Sequence, residues 1–192
     1  MTDLVNDPRP MFIVALDQTQ RLIDTVGPAD LALPTPCPEY DVRTLLGHLL
    51  TVAARVSLAL NGGNPLEIPT VTTGVDDVPA AFKERRTAID ETLSDDAVLT
   101  KICKLPWATL PGSAAIAAYT GELATHSWDL AKATNRLDLL DDAIATHCLP
   151  LVRKFLPAEP RGGDHIPFGP VVPVADDASP YDRLAAWQGR QP

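Results

Sequence analysis

The sequence predicts an all-helical protein, a bundle of four main helices joined by long loops and followed by a proline-rich C-terminal tail. Three observations predict it. Apolar residues recur every three or four positions over four long segments, the mark of one buried face per helix. Proline, glycine, asparagine and aspartate gather mainly between those segments. Nothing alternates between strand and helix patterns as a βαβ chain would. With 192 residues, 45% of them apolar and 21% charged, the chain has the material for one sizeable core.

The first helix is expected over about 9–26, with Phe12, Ile13, Leu16, Ile23 and Val26 at helical spacing and Gly27-Pro28 as its stop. A proline-dense loop follows from Pro34 to Tyr40. Asp41 is the expected N-cap of a second helix over about 42–60, which closes at Asn61-Gly62-Gly63. Its apolar face is Val42, Leu45, Leu46, Leu49, Ala53, Val56 and Leu60. Residues 64–75 read as an irregular loop. Asp76 or Asp77 caps a third helix that has Pro79 in its first turn and ends near Leu93. Ile102, Leu105 and Trp107 point to an extended segment or hairpin before Pro111-Gly112. The fourth helix runs over about 113–134 and ends at Asn135. A fifth, about 141–155, is amphipathic through Ile144, Leu149, Leu151 and Val152, and Pro150 is expected to kink or divide it. The last 36 residues hold seven prolines and four glycines, with one short helix expected over 181–188. Residues 1–156 therefore read as the bundle and 157–192 as a tail packed on it.

Charge excludes some partners. A net charge of -9, from 25 acidic and 16 basic residues with no Lys/Arg run, does not suit a protein that tracks phosphates. The start of the sequence is acidic and lacks the basic-then-apolar order of a signal peptide. No segment approaches the roughly 18 uninterrupted apolar residues of a membrane span. The expectation is a cytoplasmic protein with a small-molecule substrate or thiol as partner, no nucleic acid and no membrane. A homodimer stays open, since no exposed apolar stripe demands one. Cys37, Cys103 and Cys148 are an odd, scattered set without a CxxC pair and read as reduced thiols, Cys37 being the one in the proline-rich loop.

Glu122 and His126 stand four apart on the fourth helix, hence on one face in consecutive turns. The same stripe carries Ala115, Tyr119, Leu130 and Ala133, so a carboxylate and an imidazole fall among apolar neighbours. Burying such groups is costly unless they pair or bind a metal. Spacing alone leaves both readings open: a hydrogen-bonded pair on a half-exposed face, or two ligands. His48, on the second helix, borders a polar stripe of Asp41, Thr44, Thr51 and Arg55, and is either a helix-edge histidine or a third ligand. Two imidazoles and a carboxylate can bind zinc with a fourth position left for water or substrate. The same donors can hold Fe(II) or nickel. Asp129 is either an orienting partner for His126 or a surface acid near Lys132. Trp128 reads as core packing, Asp41 as an N-cap, Arg43 and Arg55 as solvated charges or anion receptors, and His147 and His165 carry no pattern.

Two blocks resemble a known family. Thr35-Pro36-Cys37-Pro38-Glu39-Tyr40-Asp41-Val42, leading into Gly47-His48-Leu49, is similar to the start of the second helix in the DinB-like superfamily. The closer likeness is to the mycothiol-dependent maleylpyruvate isomerase N-terminal-domain group and its short actinobacterial metal-binding relatives. Gly121-Glu122-Leu123-Ala124-Thr125-His126-Ser127-Trp128-Asp129-Leu130-Ala131 resembles that group's E-x-x-x-H-x-W-D-L-A helix. Phe168-Gly169-Pro170, and Ser179 to Leu184 with Gly189-Arg190, resemble the short relatives. The resemblance implies a four-helix DinB-like bundle with a divalent metal, usually zinc, held by His48, Glu122 and His126. It also implies a low-molecular-weight thiol such as mycothiol as cosubstrate, in transferase or isomerase chemistry. A non-catalytic metal-binding or interaction protein and a metal-dependent hydrolase are the alternatives. The characterised isomerase carries a further C-terminal domain for substrate and thiol handling, where this chain has its proline-rich tail.

Overall fold

Four helices close a ring around the core in the computed structural model, which describes residues 7–161 and 168–192. They are α1 (Arg9–Thr25), α2 (Val42–Leu60), α3 (Val78–Leu93) and α4 (Gly112–Ala133). α1 packs on α4, α4 on α2, α2 on α3, and α3 back on α1. The architecture is the expected all-α, DinB-like bundle. The ambiguous stretch before α4 is a small antiparallel hairpin, β1 (Ile102–Lys104) and β2 (Thr109–Pro111), with Cys103 opposite Leu110. α5 (Asp142–Phe155) and α6 (Pro180–Trp187) pack on each other and on α4.

The caps follow from residue chemistry. The Asp41 carboxylate accepts the Thr44 N–H at 2.8 Å, and Asp77 accepts the Ala80 N–H at 3.0 Å, each satisfying an otherwise orphaned donor. α4 ends where Asn135 turns left-handed (φ 56°), which lets the Arg136 N–H reach the Ala131 carbonyl at 2.8 Å. Of the two effects expected at Pro150, division of α5 does not occur; the helix runs past it. Pro150 is exposed, so the carbonyl it leaves without a helical donor lies on the solvent side, where water can replace the missing bond.

α2 forms one wall of the core, with Leu45, Leu49, Leu50 and Val56 fully buried. Its length and composition would let it cross a bilayer, but 67% of its apolar window is buried inside the bundle, as in a core helix. Gln18 of α1 is also fully buried, and its amide is spent at both ends. Its nitrogen donates to the Tyr181 hydroxyl at 2.7 Å, and its oxygen accepts the Asp141 N–H at 2.6 Å. One side chain thereby ties α1 to the start of α5 and to α6.

The stripe of α2 that the sequence presents as polar is largely covered. The segment between α2 and α3 lies along it and bonds to it residue by residue. Thr51 and Thr72 share a hydroxyl hydrogen bond at 2.9 Å, and Arg55 Nη2 donates to the Ile68 carbonyl at 2.7 Å. The Thr72 N–H reaches the Gly47 carbonyl at 3.1 Å. This approach depends on Gly47 having no side chain: a Cβ there would stand 2.3 Å from the Thr72 oxygen and 2.9 Å from Val71 Cγ1. Because the first obstacle is a backbone oxygen, it cannot rotate away. Gly47→Ala is expected to destabilise the fold by about 3 kcal/mol, the upper part of the overpacking range, read as a lower midpoint at unchanged slope in urea unfolding.

Candidate metal centre

α2 and α4 bring His48, Glu122 and His126 together, with one donor atom from each lying within 4.8 Å of the others. His48 Nε2 is 3.4 Å from Glu122 Oε1 and His126 Nε2 is 3.5 Å from the same oxygen. The two imidazoles meet edge to face, with centroids 4.7 Å apart. Both histidines are only 7% exposed, whereas the Glu122 side chain is 32% exposed, so the cluster opens to solvent on the glutamate side.

The far edge of each ring is fixed. His48 Nδ1 donates to the Thr70 carbonyl at 2.9 Å, and His126 Nδ1 donates to Asp129 Oδ2 at 3.0 Å. A carbonyl can only accept, and an ionised carboxylate likewise, so each Nδ1 holds a proton and each Nε2 is the atom presented to Glu122. Two imidazoles whose outer nitrogens are held by an oxygen, facing one carboxylate, are the arrangement that orients histidines for a metal. The donor set fits one divalent cation. Tyr40 lies beside His48, ring centroids 5.3 Å apart.

Three buried or half-buried charges coexist because they are paired. Burial disfavours the Glu122 carboxylate, but hydrogen bonds from His126 and His48 outweigh that and hold it well below the ordinary glutamate range. Burial also opposes the charge on Asp129, which is fully enclosed, yet hydrogen bonds from His126 and Arg190 keep it ionised below the usual range. At His126 burial pulls the pKa down, while Asp129 and Glu122 pull it up further, to about 9.

The other candidates separate cleanly. Asp129 is no surface acid: it is buried under Arg190, while Lys132 is exposed. Trp128 is core, its indole N–H donating to Asp182 at 3.2 Å. Arg43 and His147 are exposed, Arg55 is taken up by the Ile68 carbonyl, and His165 lies outside the described residues. Cys37 is half-buried, with its thiol pushed up by burial; Cys103 and Cys148 are buried, and all three are free. Sequence reasoning missed Thr70 and Arg190. Thr70 acts through its backbone and leaves no side-chain signal, whereas Arg190 lies in a Gly-Arg pair whose spacing from α4 gives no sign of a role.

The sequence signature described as the mycothiol maleylpyruvate isomerase N-terminal domain matches residues 14–131. The chain belongs to that family. The matched segment takes in His48, Glu122, His126 and Asp129, while α5, α6 and Arg190 lie beyond it. Two proteins from different strains of Mycobacterium tuberculosis, both named as uncharacterized, are 29% identical to this family member over 184 residues. The alignment covers 96% of this chain and 98% of each of theirs, so the likeness extends through the tail. No solved structure matches at a significant level.

The raised pKa of His126 gives a signed pH dependence. A histidine raised from 6.5 to about 9 contributes stability that is complete below 6.5 and lost as pH rises through 9. A metal must displace the His126 Nε2 proton, so its affinity should climb over the same window. Chelator-treated protein is expected to show a melting temperature that falls between these pH values. Adding zinc should reverse the trend, and thermal melts with and without the ion check both.

Proposed function

We propose that the chain is a metal-dependent enzyme in which His48, Glu122 and His126 hold one divalent ion. Zinc is the first choice, with nickel and iron accepted by the same donors. A low-molecular-weight thiol such as mycothiol serves as cosubstrate in transferase or isomerase chemistry. The observation that carries this reading is the convergence of two Nε2 atoms on one carboxylate oxygen at 3.4 and 3.5 Å, each ring pinned from behind. The mycothiol in the family's description supports the choice of thiol.

When bound, a divalent ion lowers the pKa of a thiol or water brought to it and so makes a nucleophile near neutral pH. The chain's own residues do the rest. His48 and His126 wall off the inner side, and the partly exposed Glu122 leaves the approach from solvent open. Tyr119 stands one turn before Glu122 on the same stripe, with its hydroxyl buried and without a partner among the described residues. A ligand seated beside Glu122 offers that hydroxyl an acceptor. Arg55 keeps Nη2 on the Ile68 carbonyl, but its buried Nε has no partner among the described residues and is a second donor for an anionic group.

Zinc titration against a competing chelator tests the ligand set. Wild-type protein should bind about one ion per chain. His48→Ala, Glu122→Gln and His126→Ala should each lose on the order of 100-fold or more in affinity, as four-ligand zinc sites are worth about 10–16 kcal/mol together. In the cobalt-substituted protein, mycothiol should add a sulfur-to-metal charge-transfer band. Wild-type protein that takes up no ion, or variants that bind it equally well, would sink the metal reading. A cobalt spectrum unmoved by thiol would remove the thiol.

A further inference from the structure

We infer that Arg190 is a positioning residue for the metal centre, acting from the C-terminal segment through Asp129 on His126. The inference rests on the metal reading above and deepens it by assigning the Gly189-Arg190 pair a task. Arg190 Nε donates to Asp129 Oδ1 at 2.7 Å and Nη2 donates to Oδ2 at 2.9 Å, a two-pronged grip with the arginine side chain only 12% exposed. The same Oδ2 accepts His126 Nδ1 at 3.0 Å. A free carboxylate can swing about its Cβ–Cγ bond; one gripped by a planar fork cannot. The fork therefore fixes the plane of Asp129, and Asp129 fixes the rotation of the His126 ring and the direction of Nε2.

The arginine is itself aimed by the backbone. α6 ends in a left-handed Gly189 (φ 83°), with the Gly189 N–H bonded to the Ala186 carbonyl and the Arg190 N–H to the Ala185 carbonyl, both at 3.0 Å. A Cβ on Gly189 would stand 2.8 Å from the Gly169 Cα, so glycine is required both for the turn and for the close passage of the backbone at Gly169. One turn before Asp129, Thr125 donates to Gln188 Oε1 at 2.6 Å, which seats the segment that delivers the guanidinium.

Zinc affinity should be measured for wild type, Arg190→Gln, Arg190→Lys, Asp129→Asn and the double variant Arg190→Gln/Asp129→Asn. Arg190→Gln should weaken binding about tenfold, within the range for outer partners of ligating histidines. The double variant should bind no worse than Asp129→Asn alone, because the arginine acts through that carboxylate. Arg190→Lys keeps the charge without the fork and should recover less than half of the loss. Millimolar guanidinium should restore the Arg190→Gln variant. Tyr181→Phe loosens the tail by removing the acceptor of Gln18, and should lower the melting temperature while leaving zinc affinity unchanged. An Arg190→Gln variant with wild-type affinity and an unchanged cobalt spectrum would overturn the inference. So would additive losses in the double variant, full rescue by lysine, or a Tyr181→Phe loss equal to that of Arg190→Gln. A metal-independent readout separates this from the metal reading. In chelated protein, the low-field His126 Nδ1 proton resonance should be present in wild type and lost in Arg190→Gln, whether or not wild type binds zinc.

Discussion

α4 carries two acids and a histidine in the middle of the molecule, and the bundle can be stable only if each is answered. Burying an unpaired ion costs several kcal/mol, comparable with the whole folding free energy of a domain. Glu122 is answered by two imidazoles, His126 by two carboxylates, and Asp129 by a histidine and an arginine. Each partner comes from a different part of the chain: α2, α4 itself, and the segment after α6. The chain's long-range architecture is, in this sense, organised by charge neutralisation along a single helix. Apolar packing holds the helices in place, with Phe12, Leu16, Leu49 and Ile116 all fully buried.

The two faces of α4 divide the work. One, through Glu122 and His126, meets α2 and can hold an ion. The next, through Thr125, Trp128 and Asp129, receives Gln188, Asp182 and Arg190. α4 is buried nearly all round, which a helix of low amphipathicity permits because every side has a protein neighbour. A helix so enclosed cannot slide or rotate without disturbing both contacts together. The ligand side is thereby stiffened by contacts made on the adjoining side, which Asp129 shares with His126.

Much of this could be read from the residues. The helices, their caps and the apolar face of α2 follow from spacing, and Glu122 with His126 from a four-residue interval. Patterning could not decide His48, because the polar stripe beside it looked solvated; the loop that covers it bonds mainly through main-chain groups, which carry no residue-specific signal. Asp129 was ambiguous for the opposite reason, its partner lying 61 residues away in a segment whose composition suggested little structure. Whether Pro150 divides α5 could not be read from sequence, because its effect depends on which side of the helix loses a bond, and only the packing decides that.

His48 and His126 are steadied in different currencies. The first leans on a main-chain carbonyl at position 70, the second on the Asp129 side chain. No point substitution at 70 deletes a carbonyl, so drift in loop composition should leave His48 upright, whereas a single inserted or deleted residue between α2 and α3 would shift its support. His126 has the reverse exposure: indifferent to loop length, vulnerable to one codon. The support of His48 thus leaves the letter at residue 70 free but fixes the number of residues before it, whereas that of His126 is held to the letter at 129.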